Sequence, residues 1–161
     1  MIVLALDTAG SACSVALWRD GEVIAARSLP LARGHAEALM PMVREVAAAA
    51  AIDLATPDLF AVAIGPGAFT GLRIGIAAAA GMALAANRPI LGISSLEIAA
   101  HAVPVAERQR RDVLVVLDSR REELFVQLFD SDLAPLGGPA CSAPAGLAAL
   151  CGDRPLTVTG D

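Results

Sequence analysis

Residues 65–75, GPGAFTGLRIG, constrain the fold of this chain more than any other stretch of its sequence. They follow the apolar run FAVAI and precede the nearly uncharged stretch IAAAAGMALAA. This order predicts an apolar strand, a glycine-rich turn and an apolar helix. Such a turn either presents backbone N–H groups to an anion or lets two backbones approach closely.

The spacing of the glycines favours close packing over phosphate binding. A Walker P-loop requires a lysine, and all 12 basic residues of the chain are arginines. Thr70 stands where the dinucleotide fingerprint requires its third glycine. Gly67, Gly71, Gly75 and Ala79 recur every four residues and lie, from Gly71 onward, on one helical face. We therefore predict that Gly71 and Gly75 admit another backbone, either from the same domain or from a partner.

Composition excludes several classes of function. The chain has 161 residues, is 56% hydrophobic and carries a net charge of −5, which suits one ordinary domain or two small lobes. An acidic chain is not expected to bind nucleic acid or an anionic membrane unaided. There are three cysteines without CxxC spacing, Cys13, Cys141 and Cys151, so neither a disulfide framework nor a metal site is predicted. Free thiols suit a reducing compartment, and a cytoplasmic location is expected. A helix over 70–86 spans only ~26 Å and contains Arg73, so we expect a buried or interfacial helix and no membrane span.

Strands and helices alternate along the chain. Apolar alternation and turn residues predict strands over 2–6, 13–18, 22–29, 59–64 and 89–93. Helical periodicity predicts helices over 34–52 and 71–86 and a short helix that begins near Ser94.

A weak internal repeat predicts two lobes. VLALD ends in Asp7 and VLVVLD ends in Asp118, and in both cases a second strand ends eleven residues further on, before a turn that contains Asp. Two unrelated hairpins would give the same pattern. We predict an α/β protein with a first lobe at 1–103, a polar linker at 104–112 and the start of a second, incomplete lobe at 113–161. Strand–Asp–hairpin units in two lobes match the actin-like, sugar-kinase-like architecture, in which two such turns hold nucleotide phosphates across a cleft.

The first of these turns is a candidate nucleotide site. Asp7, Thr8, Gly10 and Ser11 have the chemistry to hold the phosphates of ATP or ADP with Mg²⁺. The alternative is an Asx turn whose polar groups are satisfied locally.

The motifs resemble one protein family. Four stretches carry the resemblance: AIGPGAFTGLRIGIAAAAGMALA, PILGISSLE, LALDTA and RGHAEALMP. They are similar to the TsaB (YeaZ) family, the dimerisation subunit of the bacterial machinery that makes threonylcarbamoyladenosine in tRNA. The similarity covers residues 1–100, and the second lobe matches loosely through VLDSRREELFV. The resemblance implies an actin-like (ASKHA) fold, recruitment of a TsaD-like catalytic paralogue, and a TsaE-like ATPase as a further partner. It also implies a homodimer when the chain is alone and contact with tRNA only through the complex.

The resemblance further implies that this chain is not catalytic. The sibling TsaD carries metal-binding histidines with HLEGH spacing, and the aligned positions here are Ser95 and Ala99. His101 lies two residues too late and has no partner, so we expect a surface or capping histidine and no metal. The alternative functions are an actin-fold ATPase or kinase, or a glycoprotease-like peptidase acting on its own.

The two main helices carry more apolar surface than one small lobe is expected to cover. Together with the resemblance, this predicts a subunit interface on these helices. The candidate interface residues are Leu39, Met40, Val43, Val46, Gly71, Gly75, Ala79 and Met82.

Overall fold

The computed structural model describes the whole chain, Met1–Asp161. Its internal contacts divide it into two compact units, Met1–Ile93 and Ser94–Asp161. Each unit contains one β-sheet and the helices that pack on it.

The first unit contains a five-stranded mixed sheet in the order β3-β2-β1-β4-β5. β1, β2 and β3 are antiparallel, whereas β4 and β5 run parallel to β1. Asp20 and Gly21 form the two-residue turn between β2 and β3, and both have positive φ, as a tight hairpin turn of this length requires. The strands are β1 (Ile2–Asp7), β2 (Ala12–Arg19), β3 (Glu22–Pro30), β4 (Leu59–Ala63) and β5 (Ile90–Ile93).

Two helices, α1 (His35–Ala49) and α2 (Phe69–Ala86), share one hydrophobic core with this sheet. Alternate residues of β1 and β2, such as Leu4 and Val15, are fully buried in it. α1 ends before the predicted residue 52 because Ala51 adopts a left-handed conformation, which breaks the helical hydrogen-bond ladder. The predicted order of strands and helices in this unit is confirmed.

The second unit contains a four-stranded sheet in the order β8-β7-β6-β9. Leu96, Ala100 and Val103 pack against Val113 and Phe129 in its core. The strands are β6 (Asp112–Asp118), β7 (Leu124–Phe129), β8 (Ala140–Ser142) and β9 (Leu156–Gly160). The helices are α3 (Ser95–His101), α4 (Val105–Arg108) and α5 (Leu147–Cys151), the last preceded by a 3₁₀ turn at Pro144–Gly146.

The two sheets repeat one topology. β1 pairs antiparallel with β2 and parallel with β4, and β6 pairs in the same way with β7 and β9. Asp7 and Asp118 both end the first strand of their unit and both precede an antiparallel partner. The strand–Asp–hairpin repeat predicted from the sequence is therefore present in both units.

The segment 104–112, expected to be a linker, is instead held within the second unit. It begins with α4, whose Glu107 carbonyl accepts a hydrogen bond of 2.6 Å from the Thr157 hydroxyl. The Arg108 guanidinium donates to the carbonyl of Ser131. One side chain and one backbone carbonyl of this segment thus bond to other parts of the second unit, and the division between the units lies earlier, between Ile93 and Ser94.

Candidate functional site

The turn after β1 packs directly against the start of α2. The Thr8 hydroxyl, on a side chain that is 2% exposed, donates to the Gly71 carbonyl at 2.7 Å. The Ala68 N–H, at the N-cap of α2, donates to the Ala9 carbonyl at 2.7 Å. The Asp7 turn and the glycine-rich turn therefore form a single structure.

The glycines of α2 make this contact possible. A Cβ atom at Gly71 would overlap the Thr8 carbonyl oxygen, and one at Gly75 would overlap the Thr8 hydroxyl. A Cβ at Gly67 would lie 2.5 Å from the Ala9 carbonyl oxygen, which is also too close. The predicted close approach of backbones is confirmed at Gly71, where the approaching backbone is the chain's own turn. At Gly75 the space is filled by the side chains of Thr8 and Val62.

This turn has the geometry of an Asx turn. The Asp7 carboxylate accepts a hydrogen bond of 2.8 Å from the Ala9 N–H. Gly10 and Ser11 are exposed, and Asp7 is half-buried. The Thr8 side chain is turned into α2 and is withdrawn from any ligand at the surface, whereas Asp7, Gly10 and Ser11 remain accessible. Nucleotide binding by this turn stays a prediction.

Cys13 lies on β2 in the core of the same unit. Burial, and secondarily the Asp7 carboxylate, raise the pKa of its thiol. A raised pKa keeps the thiol protonated at neutral pH, so Cys13 is a packing residue and a poor nucleophile.

The structure places most of the expected interface residues inside the first unit. Leu39, Val43 and Val46 of α1 and Ala79 of α2 are buried in the core, and Gly71 and Gly75 lie against Thr8 in the turn after β1. Only Met40 and Met82 are partly exposed. The apolar stripes that suggested a partner are thus covered by the strands and turn of the same chain, so those six buried residues are not available as a contact surface.

The opposite side of α2 is exposed and apolar. Phe69 is 67% exposed, Ile76 38% and Leu84 84%. A Cβ atom at Gly81 would meet nothing within 4 Å. We call this surface the outward face of α2, and its residues are Phe69, Arg73, Ile76, Ala77, Ala80, Gly81 and Leu84. Sequence reasoning missed this face, although Arg73, as the one charged residue of α2, marks it.

α3 occupies the position where the resemblance located the metal ligands of the catalytic sibling. Ser95 is its first residue and Ala99 lies one turn later, and neither offers a transition-metal ligand of useful strength. Ser94 and Glu97 form a capping box that fixes the start of the helix. His101 is exposed in the last turn, as expected for a surface histidine. The chain has no group of three or more His, Cys, Asp or Glu side chains arranged to hold a metal ion.

α2 is the one helix whose length and composition would allow a membrane span, and 22% of that span is buried. Core helices pass the same criterion, and the glycine side of α2 packs within the first unit. Length and composition are therefore weak evidence for a membrane location.

Comparison with known proteins identifies the family. The family model for TsaD, described as tRNA N6-adenosine threonylcarbamoyltransferase, matches residues 30–155. The solved structure of YeaZ from Pseudomonas aeruginosa superposes with a TM-score of 0.81 at 36% identity, covering 89% of this chain and 68% of that protein. The chain belongs to the TsaB (YeaZ) family. Its domain is of the TsaD type.

A curated relative agrees with this assignment. The tRNA threonylcarbamoyladenosine biosynthesis protein TsaB of Escherichia coli K12 is 39% identical over 132 residues, which is 82% of this chain and 56% of that protein. The chain thus spans little more than half the length of this TsaB relative.

The fold also resembles that of actin-like kinases. The putative N-acetylmannosamine kinase Lmo2764 of Listeria monocytogenes superposes with a TM-score of 0.52 at 14% identity, covering 86% of this chain and 50% of that protein. At this identity the likeness concerns the fold alone. It confirms the actin-like α/β fold expected from the sequence.

The glycine contact predicts opposite effects of two similar substitutions in α2. Gly71→Ala places a methyl group on the Thr8 carbonyl and should lower the free energy of unfolding by ~1–3 kcal/mol. Gly81→Ala, the matched control, adds a methyl group in open space and should raise it by ~0.5–1 kcal/mol. Urea unfolding of both variants provides the measurement. A Gly71→Ala variant as stable as the control would contradict the contact.

Asp7→Asn tests the candidate nucleotide site without disturbing the turn. Asparagine retains the oxygen that accepts from the Ala9 N–H but removes the carboxylate charge. If the turn holds Mg²⁺ and ATP or ADP, calorimetry should show binding by the parent protein and at least a tenfold loss in the variant, at an unchanged melting temperature. Equal affinities would remove Asp7 from the site.

Proposed function

We propose that this chain is an accessory, non-catalytic subunit that pairs with a TsaD-like catalytic paralogue in the threonylcarbamoylation of adenosine in tRNA. The family assignment supports the pathway, because the E. coli relative carries the name of a tRNA threonylcarbamoyladenosine biosynthesis protein. The proposal places the protein in the cytoplasm, beside a TsaE-like ATPase, with tRNA contacted only through the complex.

The outward face of α2 is the observation that carries this proposal. Four turns of one helix expose apolar and small side chains, whereas the opposite side of the same helix is packed within the first unit. A contiguous exposed apolar surface on a globular unit is typical of a protein-binding site. Ala77, Ala80 and Gly81 leave this surface shallow enough for a partner helix to approach closely.

The chemistry of α3 supports the non-catalytic part of the proposal. Ser95 and Ala99 stand where the sibling has its metal-binding histidines, and the Cys13 thiol is held protonated. In the proposed complex the paralogue supplies the metal and the reacting groups, and this chain supplies a binding surface. When the paralogue is absent, the same surface pairs two copies of this chain.

Leu84→Glu is expected to abolish pairing without unfolding the protein. Leu84 is 84% exposed, so a charge there costs little in the monomer but is costly in an apolar interface. Val105→Glu is the matched control, because Val105 is 60% exposed on the short helix α4 of the second unit. Affinity for the TsaD-type protein of the same genome should fall at least 30-fold for Leu84→Glu and less than twofold for Val105→Glu.

The same experiment distinguishes the proposed accessory function from the alternative, an enzyme that acts on its own. If Leu84→Glu binds the paralogue as tightly as the parent protein, the outward face of α2 is not the interface. If the isolated chain hydrolyses ATP or peptides and ignores the paralogue, the accessory function is wrong.

A further inference from the structure

We propose that Arg73 determines which partner the outward face of α2 accepts, by requiring a carboxylate on the helix that packs against it. The inference rests on the proposed function, because it assumes that this face is the interface. It adds the chemistry by which a partner is recognised and the residue that recognises it.

Arg73 is an exposed cation within an apolar surface. It is the only charged residue among the 18 of α2, and it takes part in none of the ion pairs of the chain. Its guanidinium carbon lies 3.7 Å from the ring centroid of Phe69, one turn earlier on the same face. The ring covers one side of the guanidinium plane and fixes its position, and the N–H groups at the edge of the plane remain free to donate.

The surroundings of Arg73 in this helix provide no negative charge. The first turn of α2 contains no acidic residue, and no side chain caps its N-terminus. The N-terminal end of a helix carries a partial positive charge, so Arg73 lies near charge of its own sign. A helix that packed here without an acidic group would remove water from this cation and leave it unpaired, which is costly.

The α2 of a second copy cannot provide the missing carboxylate. If two α2 helices crossed antiparallel at Ala77, Arg73 would face Gly81, and if they paired parallel, Arg73 would face Arg73 of the second copy. The nearest helix, α1, carries Glu37 and Glu45, and Glu45 is paired with Arg27. α1 and α2 both begin at the end of the sheet at which β1 also ends. If two copies paired through antiparallel α2 helices, Glu37 of the second copy would therefore lie at the opposite end of the interface from Arg73.

The preferred occupant is therefore a partner helix with two features. It presents small or flat apolar residues toward Ala77 and Gly81, and it carries one Asp or Glu opposite Arg73. A carboxylate can accept two parallel hydrogen bonds from the free edge of a guanidinium, a geometry that lysine does not offer.

The test compares association of three variants with the TsaD-type protein of the same genome and with a second copy of the chain. Arg73→Gln should weaken binding to the paralogue at least tenfold. It should leave self-association unchanged or strengthen it, because it removes a cation that a second copy leaves unpaired. Arg73→Lys should lose most of the same affinity, because an ammonium group cannot donate in the same fork. Arg121→Gln, in the exposed hairpin loop between β6 and β7, changes the net charge equally and should alter neither affinity. Melting temperatures confirm that all variants fold.

A charge swap identifies the partner group. Arg73→Glu should abolish binding to the paralogue, and changing one Asp or Glu on the paralogue's apolar helix to Arg should restore it. The inference is overturned if Arg73→Gln binds the paralogue like the parent protein while Leu84→Glu does not. It is also overturned if Arg73→Gln weakens both associations equally. If the parent protein does not bind the paralogue, the proposed function fails together with the inference.

Discussion

The contact between the Thr8–Ala9 turn and the glycine side of α2 is the constraint on which the rest of the first unit depends. It joins the end of β1 to the start of α2 through a buried hydroxyl–carbonyl bond and an N–H–carbonyl bond, both of 2.7 Å. Neither bond can form if Gly71 or Gly67 carries a side chain, because the space is filled by backbone atoms. The contact also fixes the rotation of α2 about its axis and so determines which residues of that helix face solvent.

This rotation gives α2 one surface that packs within the first unit and one that is exposed. The inward surface, with Gly71, Gly75 and Ala79, contributes to the fold, and the outward surface is exposed. A helix that is apolar on all sides is expected to be covered on all sides, and the first unit covers only one. In the proposed function the TsaD-like paralogue covers the other, and Arg73 restricts the choice of partner to helices with a suitable carboxylate. Both sheets keep the strand–Asp–hairpin topology, and Ser95 and Ala99 of α3 stand where the resemblance to the catalytic sibling implies metal ligands.

The sequence predicted the strands, the helices, the paired Asp hairpins and the close approach at Gly71, because each depends on local periodicity or on the steric demand of one residue. It did not reveal which backbone fills the space beside Gly71, since a spacing of four residues defines a helical face but not what covers it. For the same reason the sequence predicts Leu39 and Val43 at an interface, because an amphipathic stripe has the same spacing whether a sheet or a partner lies against it. The polar run 104–112 predicts a linker because such side chains are usually solvated. In the fold, Arg108 donates to the Ser131 carbonyl and the Glu107 carbonyl accepts from Thr157, and only the tertiary structure brings these partners near.

A double-mutant cycle between Thr8 and Gly75 tests the central contact most directly. A Cβ at Gly75 would strike the Thr8 hydroxyl, so Gly75→Ala should be destabilising in the parent protein and much less so when Thr8 is alanine. Urea unfolding of the parent, the two single variants and the double variant should therefore give a coupling free energy of about 1–3 kcal/mol, with the double variant more stable than the sum of the single effects predicts. Additive effects within about 0.5 kcal/mol would mean that Thr8 does not lie against the glycine side of α2, and the assignment of the inward and outward surfaces would be wrong.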